Sequence, residues 1–416
     1  MSELDNNAES CVLLLVYDCQ PNAGSDPGIG WQAVIHAAES HQVLALTKAR
    51  NQEAIEAAEP VPNVTWFYVD VAEKMGPLST GSSLGDAVHN VLWLRKAREL
   101  TKDLLKSHDI RLTHYVTFSA YWMPVPFADV GVPHVFGPVS GGESEPASLR
   151  GGQSLSARLQ ERVRTTLQLV GTRTPVWQRM AKSPSTLMVA ATEATADRMW
   201  AAGAKNVSVW RVGFSLTDSL IKELAAIERN VRPSEGPVLV TSGRQLHWKG
   251  HDLAIDAFAT ISSEMPNARL IVIGNGPEHD ALVEQAARLH LSGKIEFLPN
   301  ASRGTERARL ANADLFLFPS RRDSGSTLLP LVQILRVPIV AFDTGAVSRV
   351  TGGHVRFADL TSGQSPAVAL AQAALDVLGN PSDNVSMLRE GHDHARELFG
   401  EQAAKEAINT WYEQVA

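Results

Sequence analysis

The chain has 416 residues, too many for one small core and enough for two domains of the usual ~100 to 200 residues. Its 44% hydrophobic and 20% charged residues exclude wholesale disorder and any fibrous or low-complexity reading. With 38 Lys and Arg against 45 Asp and Glu the formal charge is −7, so no summed basic field exists to hold a nucleic acid. The two cysteines, Cys11 and Cys19, provide neither a disulfide framework nor a zinc ligand set and fit a reduced, cytoplasmic compartment. The first ten residues lack the basic and apolar stretches of a secretory signal, and no run of about 18 apolar residues predicts a membrane span.

Short runs rich in Val, Leu and Ile alternate with amphipathic stretches, the pattern of buried parallel strands joined by helices, so the predicted class is α/β. Strands are predicted at 11–17, 42–46, 64–69, 113–117, 134–136, 186–190 and 207–212. After them come 238–241, 269–273, 295–297, 315–318 and 338–342, separated by helices such as 251–262, 278–289 and 305–311. A long helical excursion is expected over 150–182, where the arginines of 158–164, mixed with Glu161, read as a solvated helix face and fall short of a membrane-binding amphipathic helix. The Pro/Gly-bearing stretch ending at Pro237 reads as a connector. The expected division is a first domain over 1–220, a linker over 221–236, a second domain over 237–390 and a final helix over 391–416 packing back on the first domain.

Four loops carry the chemistry. After the opening strand, Gly24-Ser25-Asp26-Pro27-Gly28-Ile29-Gly30-Trp31 leads into a helix, and Gly28, Gly30 and Ala33 spell G-x-G-x-x-A. Such a loop either offers backbone N–H groups to a phosphate or is a surface turn whose glycines serve chain geometry. In Ser242-Gly243-Arg244-Gln245-Leu246-His247-Trp248-Lys249-Gly250, two cations five positions apart can converge on one pyrophosphate. Gly274-Asn275-Gly276-Pro277 ends another strand, where a flat ring could lie on bare backbone. Last, Ser320-Arg321-Arg322-Asp323-Ser324-Gly325-Ser326-Thr327 carries a carboxylate that either accepts sugar hydroxyls or caps the following helix.

Together these motifs, with Ala313-Asp314 through Ser320, Val337–Ala341, Asp343-Thr344-Gly345, His114–Thr117 and Phe136–Glu143, resemble glycosyltransferase family 4, retaining enzymes of GT-B fold, in one bacterial branch. The resemblance implies two Rossmann-like doubly wound domains facing a central cleft, with the acceptor mainly on the first and a nucleotide-sugar donor mainly on the second. It implies that Arg244 and Lys249 hold the donor diphosphate, that Gly28, Gly30 and Gly243 approach it, and that the backbone at Gly276 and Leu298 lies beside the base. It places His114, otherwise readable as a buried core histidine, near the donor sugar. Asp323 would stand at the sugar, Ser324, Gly325, Ser326 and Thr327 along the donor, and Thr117, Gly141, Gly142 and Glu143 on the acceptor side.

One position departs from the family. Counting back from Pro338, Asp323 occupies the first place of the family's E-x7-E pair and Leu331 the second, where a ribose-binding carboxylate is expected. Leu331 offers no acceptor. Gln333, two positions on, points about 200° away on a helix and does not simply replace it. The absence of any Asp-x-Asp pair points to transfer without metal or other cofactor. The implied function is a hexosyltransferase-like enzyme moving a sugar or cyclitol from a nucleoside diphosphate to a small hydroxyl acceptor. A nucleotide-sugar epimerase and a partner protein that binds the nucleotide sugar without turnover are the alternatives.

Overall fold

The computed structural model describes residues 10–71, 83–117, 120–151, 155–210, 215–228 and 236–415. The chain divides into two compact units. Unit 1 comprises Met1–Gly142, Gln160–Ser215 and Glu401–Ala416, and unit 2 comprises Glu143–Leu159 and Leu216–Gly400.

Among the described residues unit 1 is built on seven strands, β1 (Cys11–Leu15), β2 (Gln42–Lys48), β3 (Val64–Val69), β4 (Ile110–Tyr115), β5 (His134–Val139), β6 (Thr186–Ala190) and β7 (Val207–Val209). They pair in the order β3-β2-β1-β4-β5-β6-β7, every pair parallel. The connections carry α1 (Ser25–Ala38), α2 (Gln52–Glu56), α3 (Ser83–Ser107), α4 (Leu155–Arg173), whose residues up to Leu159 belong to unit 2, α5 (Pro175–Lys182) and α6 (Glu193–Ala201). Because side chains alternate along a strand, Leu13 and Leu15 of β1 pack on one face with Trp93, Trp177 and Met180, while Val12 and Leu14 pack on the other with Val34 and Ala37 of α1.

In unit 2, α7 (Asp218–Ala225) precedes β8 (Val238–Ser242), α8 (His251–Glu264), β9 (Arg269–Ile273), α9 (His279–Arg288), β10 (Ile295–Leu298), α10 (Arg303–Ala311), β11 (Leu315–Phe318) and α11 (Leu328–Ile334). The unit continues through β12 (Ile339–Ala341), α12 (Val347–Thr351), β13 (Arg356–Phe357), α13 (Pro366–Gly379) and α14 (Val385–Phe399), and α15 (Glu401–Val415) returns to unit 1. The sheet order is β10-β9-β8-β11-β12-β13, again all parallel. Phe258 and Ile261 of α8 and Leu370 of α13 cover Leu239, Leu270 and Leu315 at full burial.

The domain expectations need three corrections. The segment Glu143–Leu159 belongs to unit 2, although it lies far inside the expected first domain. The expected linker over 221–236 contains most of α7, whose Thr217 side chain accepts from Leu220 N at 3.0 Å and whose Leu224 is buried; residues 229–235 lie outside the described residues. The final helix is two helices. Gly400, with extended φ −60° and ψ 155°, ends α14, which stays in unit 2, and only α15 joins unit 1. The excursion over 150–182 is likewise broken, because Thr174 and Pro175 start α5 afresh.

Buried neutral histidines tie unit 1 together. His114 of β4 uses Nε2–H to donate to Gly137 O at 2.7 Å, so its Nδ1 accepts from Tyr412 Oη of α15 at 2.9 Å. Burial lowers its pKa to about 4, lowers that of His134 to about 3, and lowers that of His36 to about 4. An unfolded chain binds these protons near pH ~6.5 and the folded one near pH 3 to 4, so the stabilisation is complete above ~6.5 and is lost as pH falls toward 4. Urea unfolding followed at pH 7 and pH 5 is expected to show a loss of roughly 1 kcal/mol per pH unit for each such histidine, shallower in His36→Gln. A pH-independent midpoint would contradict this.

Candidate active site

In both sheets the chain runs outward in opposite directions from the first strand and its neighbour, between β1 and β4 and between β8 and β11. Ligands of open α/β sheets bind outside the carboxyl ends of strands at such switch points. In unit 2 these ends carry the loops after β8 and β11, which hold Arg244, Lys249 and Asp323.

The β8 loop descends through Gly243 and Arg244 into one 3-10 turn, His247–Lys249, and reaches α8 at Gly250. Gly250 has φ 72°, and a Cβ there would lie 2.0 Å from Pro319 O, so only glycine lets the β8 loop lie directly on the β11 loop. Arg321 N and Ser320 Oγ donate to Trp248 O at 2.8 and 3.2 Å, stitching the two loops.

The Arg321 side chain, 2% exposed, is the centre of this contact. Its Nη1 and Nη2 donate to Asp252 Oδ1 and Oδ2 at 2.8 and 2.6 Å, and Nη1 also donates to His247 O at 2.7 Å. Its Nε lies 3.4 Å from both Leu149 O and Glu145 Oε1. One guanidinium therefore fixes the 3-10 turn, the first turn of α8 and the segment Glu143–Leu149. Burial works against ionisation of Asp252, but the hydrogen bonds and charge of Arg321 outweigh it and hold the carboxyl below its ordinary value.

Asp323 is equally engaged. Its Oδ1 accepts from Gly325 N at 2.8 Å and Ser326 N at 2.7 Å, and Oδ2 lies 3.2 Å from Lys249 Nζ. The carboxylate is 2% exposed and the lysine 25%. Helix α11 starts later, with Thr327 before Leu328, so Asp323 closes a turn and does not cap the helix. The N–H groups of Gly325 and Ser326, expected to face the donor, are taken by this carboxylate; Ser324 is half-buried beside them. Arg244 is exposed, and its guanidinium has no partner among the described residues.

The neighbouring loops pack in register. Gly243 N donates to Ile273 O, Gly274 N to Leu298 O at 3.0 Å, and Gln245 N to Asn275 O at 2.9 Å, while Gly276 lies against the Gln245 carbonyl. Gly243, Gly276 and Leu298 thus line the carboxyl edge of β8, β9 and β10. Leu331 is buried in α11, and buried Gln333 donates to Thr351 O at 2.9 Å, which leaves neither at the edge as a hydroxyl partner.

Unit 1 redirects several expectations. Helix α1 begins at Ser25, so Gly28 and Gly30 sit inside its first two turns; a Cβ on either would lie 2.1 Å from Ala23 O or Asp18 O. Their smallness is demanded by the chain itself. His114, expected near the donor sugar, has both nitrogens occupied in the core. Thr117 is buried and accepts from Asp18 N at 3.1 Å. The Gly141 carbonyl takes Gln168 Nε2 at 2.7 Å and the Arg164 guanidinium, Gly142 N donates to Thr195 Oγ1, and buried Glu143 is grouped with unit 2. Sequence reasoning passed over the polar group at the carboxyl ends of β1 and β2. There buried Lys48 pairs with Asp18, Arg50 reaches the same carboxylate at 3.2 Å, and Lys48 Nζ lies 3.9 Å over the Tyr17 ring. A lysine ending an otherwise apolar strand was its signal. Arg321 had a similar one, an arginine just past a buried strand.

Residues 224–388 match the family model described as "Glycosyl transferases group 1". This part of the chain is a group 1 glycosyltransferase domain. Arg244, Lys249, Arg321 and Asp323 all lie inside it. Among curated relatives, the chain is 34% identical over 122 residues to D-inositol 3-phosphate glycosyltransferase of Jonesia denitrificans, covering 27% of this chain and 28% of that one. It is 24% identical over 184 residues to 2-deoxystreptamine glucosyltransferase of Streptomyces kanamyceticus, covering 44% and 47%. The chain thus spans less than half the length of these relatives. Across the whole chain the fold is that of GT-B glycosyltransferases. Sucrose-phosphate synthase from Thermosynechococcus elongatus superposes with a TM-score of 0.68 at 15% identity, covering 98% of this chain and 99% of that one. Anabaena HepE in complex with UDP and glucose gives 0.64 at 17%, covering 97% and 100%. These two show the fold.

If Arg321 holds the group 1 domain's loops, Arg321→Leu is expected to destabilise unit 2 by about 3 to 5 kcal/mol in urea unfolding, since Asp252 and Glu145 lose their counter-charge. A change below about 1 kcal/mol would contradict that role.

Proposed function

We propose that the chain is a retaining glycosyltransferase that moves a sugar from a nucleoside diphosphate to a small hydroxyl acceptor, with Arg244 and Lys249 as the groups that hold the diphosphate. The observation that carries this reading is their placement on one rigid loop at the β8/β11 switch point of a group 1 glycosyltransferase domain. Arg244 is exposed and unpartnered among the described residues, a planar fork suited to two phosphate oxygens. Lys249 is a point charge that can turn from Asp323 to phosphate, because Asp323 keeps two backbone N–H donors when the lysine leaves.

Negative charge grows on the diphosphate as the bond to the sugar breaks, and preorganised cations aimed at it lower the barrier. Attack comes from the face the diphosphate is leaving, with a phosphate oxygen taking the acceptor's proton, so the chemistry rests on positioning and electrostatics rather than on a protein nucleophile or a metal. Two curated relatives are named for inositol 3-phosphate and 2-deoxystreptamine, which supports a hydroxylated ring as acceptor. The buried thiols Cys11 and Cys19 suit a reducing cytoplasm. Among the described residues no helix is long and apolar enough to cross a membrane.

A second reading, nucleotide-sugar binding without turnover, is favoured by Leu331, a buried aliphatic residue where the family carries a ribose carboxylate. Calorimetry with UDP and GDP, run beside an assay of donor hydrolysis, separates the two: binding with no hydrolysis under any acceptor selects the second. For either reading Arg244→Ala is expected to weaken diphosphate binding by about 1.5 to 3 kcal/mol with an unchanged melting temperature. Unaltered affinity would remove Arg244 from the site.

A further inference from the structure

Helix α10 brings an acidic side chain to the carboxyl end of β8. Ser302 starts the helix by accepting from Thr305 N at 3.1 Å, and Glu306 follows one turn in, its own N–H donating to Ser302 O at 2.8 Å. The Glu306 side chain is half-buried, and its Oε1 accepts from Ser242 Oγ. Ser242 is the last residue of β8, 6% exposed, and the two residues after it are Gly243 and Arg244. Glu306 Oε2 has no hydrogen-bond partner among the described residues, and none of their cations forms an ion pair with it. Arg307 and Arg309 of the same helix are taken by Glu223 at 2.5 Å and Glu296 at 3.0 Å.

A carboxylate in the first turn of a helix is favoured by the helix dipole. The dipole alone would leave it in water. Drawn in against a strand end with one hydroxyl donor, Glu306 loses solvent and keeps capacity for further donors. The covalent order of a nucleoside diphosphate says which donors come to that place. The ribose is joined directly to the diphosphate, so with the phosphates on Arg244 its 2′ and 3′ hydroxyls come next to the end of β8, each with a proton to donate. On α11, Leu331 is buried and has no acceptor, and Gln333 is spent on Thr351 O.

We propose that Glu306 is the ribose carboxylate of this chain, so that α10 rather than α11 supplies the acceptor for the 2′ and 3′ hydroxyls, with Ser242 Oγ holding it in place. The inference rests on Arg244 and Lys249 holding the diphosphate. It also removes the ground on which Leu331 favours binding without turnover, because the contact missing from α11 is made from α10. Contact with the base fits less well. A carboxylate reading ring N–H groups belongs beyond the ribose, beside Gly276 and Leu298 at the ends of β9 and β10, whereas Glu306 is anchored on β8.

The test is calorimetry with UDP, GDP and the 2′,3′-dideoxy form of each, on the parent chain, Glu306→Gln and Arg244→Ala. The parent is expected to bind the ribose form of its preferred nucleotide about tenfold or more tighter than the dideoxy form. Glu306→Gln is expected to remove most of that difference, weakening the ribose form about tenfold and leaving the dideoxy form and the melting temperature unchanged. Arg244→Ala is expected to weaken both forms alike, so loss of the diphosphate grip has its own signature. Loss with Arg244→Ala and none with Glu306→Gln would overturn the role of Glu306 alone, as would a Glu306→Gln loss equal for ribose and dideoxy forms. A parent chain that binds neither nucleotide would overturn this inference together with the diphosphate assignment.

Discussion

A guanidinium buried as completely as that of Arg321 survives only where its donors meet acceptors and its charge meets a counter-charge. Asp252 supplies both in a bidentate fork, His247 O takes a further donor, and Glu145 adds a second carboxylate at 3.4 Å. Because those partners belong to α8, the 3-10 turn and the segment Glu143–Leu149, the loop after β8 has one available shape. The backbone agrees with it, since Gly250 is the residue that permits the contact with Pro319. Rigidity at this loop comes from a charge pair that could not be broken on one side without stranding the other.

Asp323 performs a similar task one step further out. Its backbone carbonyl accepts from Ala346 N at 2.9 Å, and a Cβ on Gly345 would stand 1.9 Å from the same oxygen, so the loop after β12 packs against it as well. A residue read from its motif position as a sugar contact is thus the point where the loops after β8, β11 and β12 meet. Both roles are compatible only if Lys249 is the mobile partner and the carboxylate the fixed one.

The strands were legible because strands buried on both faces are written as unbroken apolar runs; β6, β9 and β11 match their expected bounds, and β13, two residues long, left no pattern to read. The G-x-G-x-x-A run was legible as a packing signal, but sequence could not say that the surfaces brought close were the chain's own Ala23 and Asp18 carbonyls. His114 carried the same ambiguity, resolved by Tyr412, a residue 298 positions away. The break at Gly400 was hidden because both flanking segments are helical.

The central claim is that Arg244 and Lys249, held by the Arg321 network, grip the donor's two phosphates. A crystal structure of the chain soaked with UDP measures this most directly. The account predicts both phosphates within hydrogen-bond reach of the two side chains, with Lys249 turned away from Asp323 and the Arg321–Asp252 fork unmoved. Nucleotide bound elsewhere, with Lys249 still on Asp323 and Arg244 in open solvent, would contradict it.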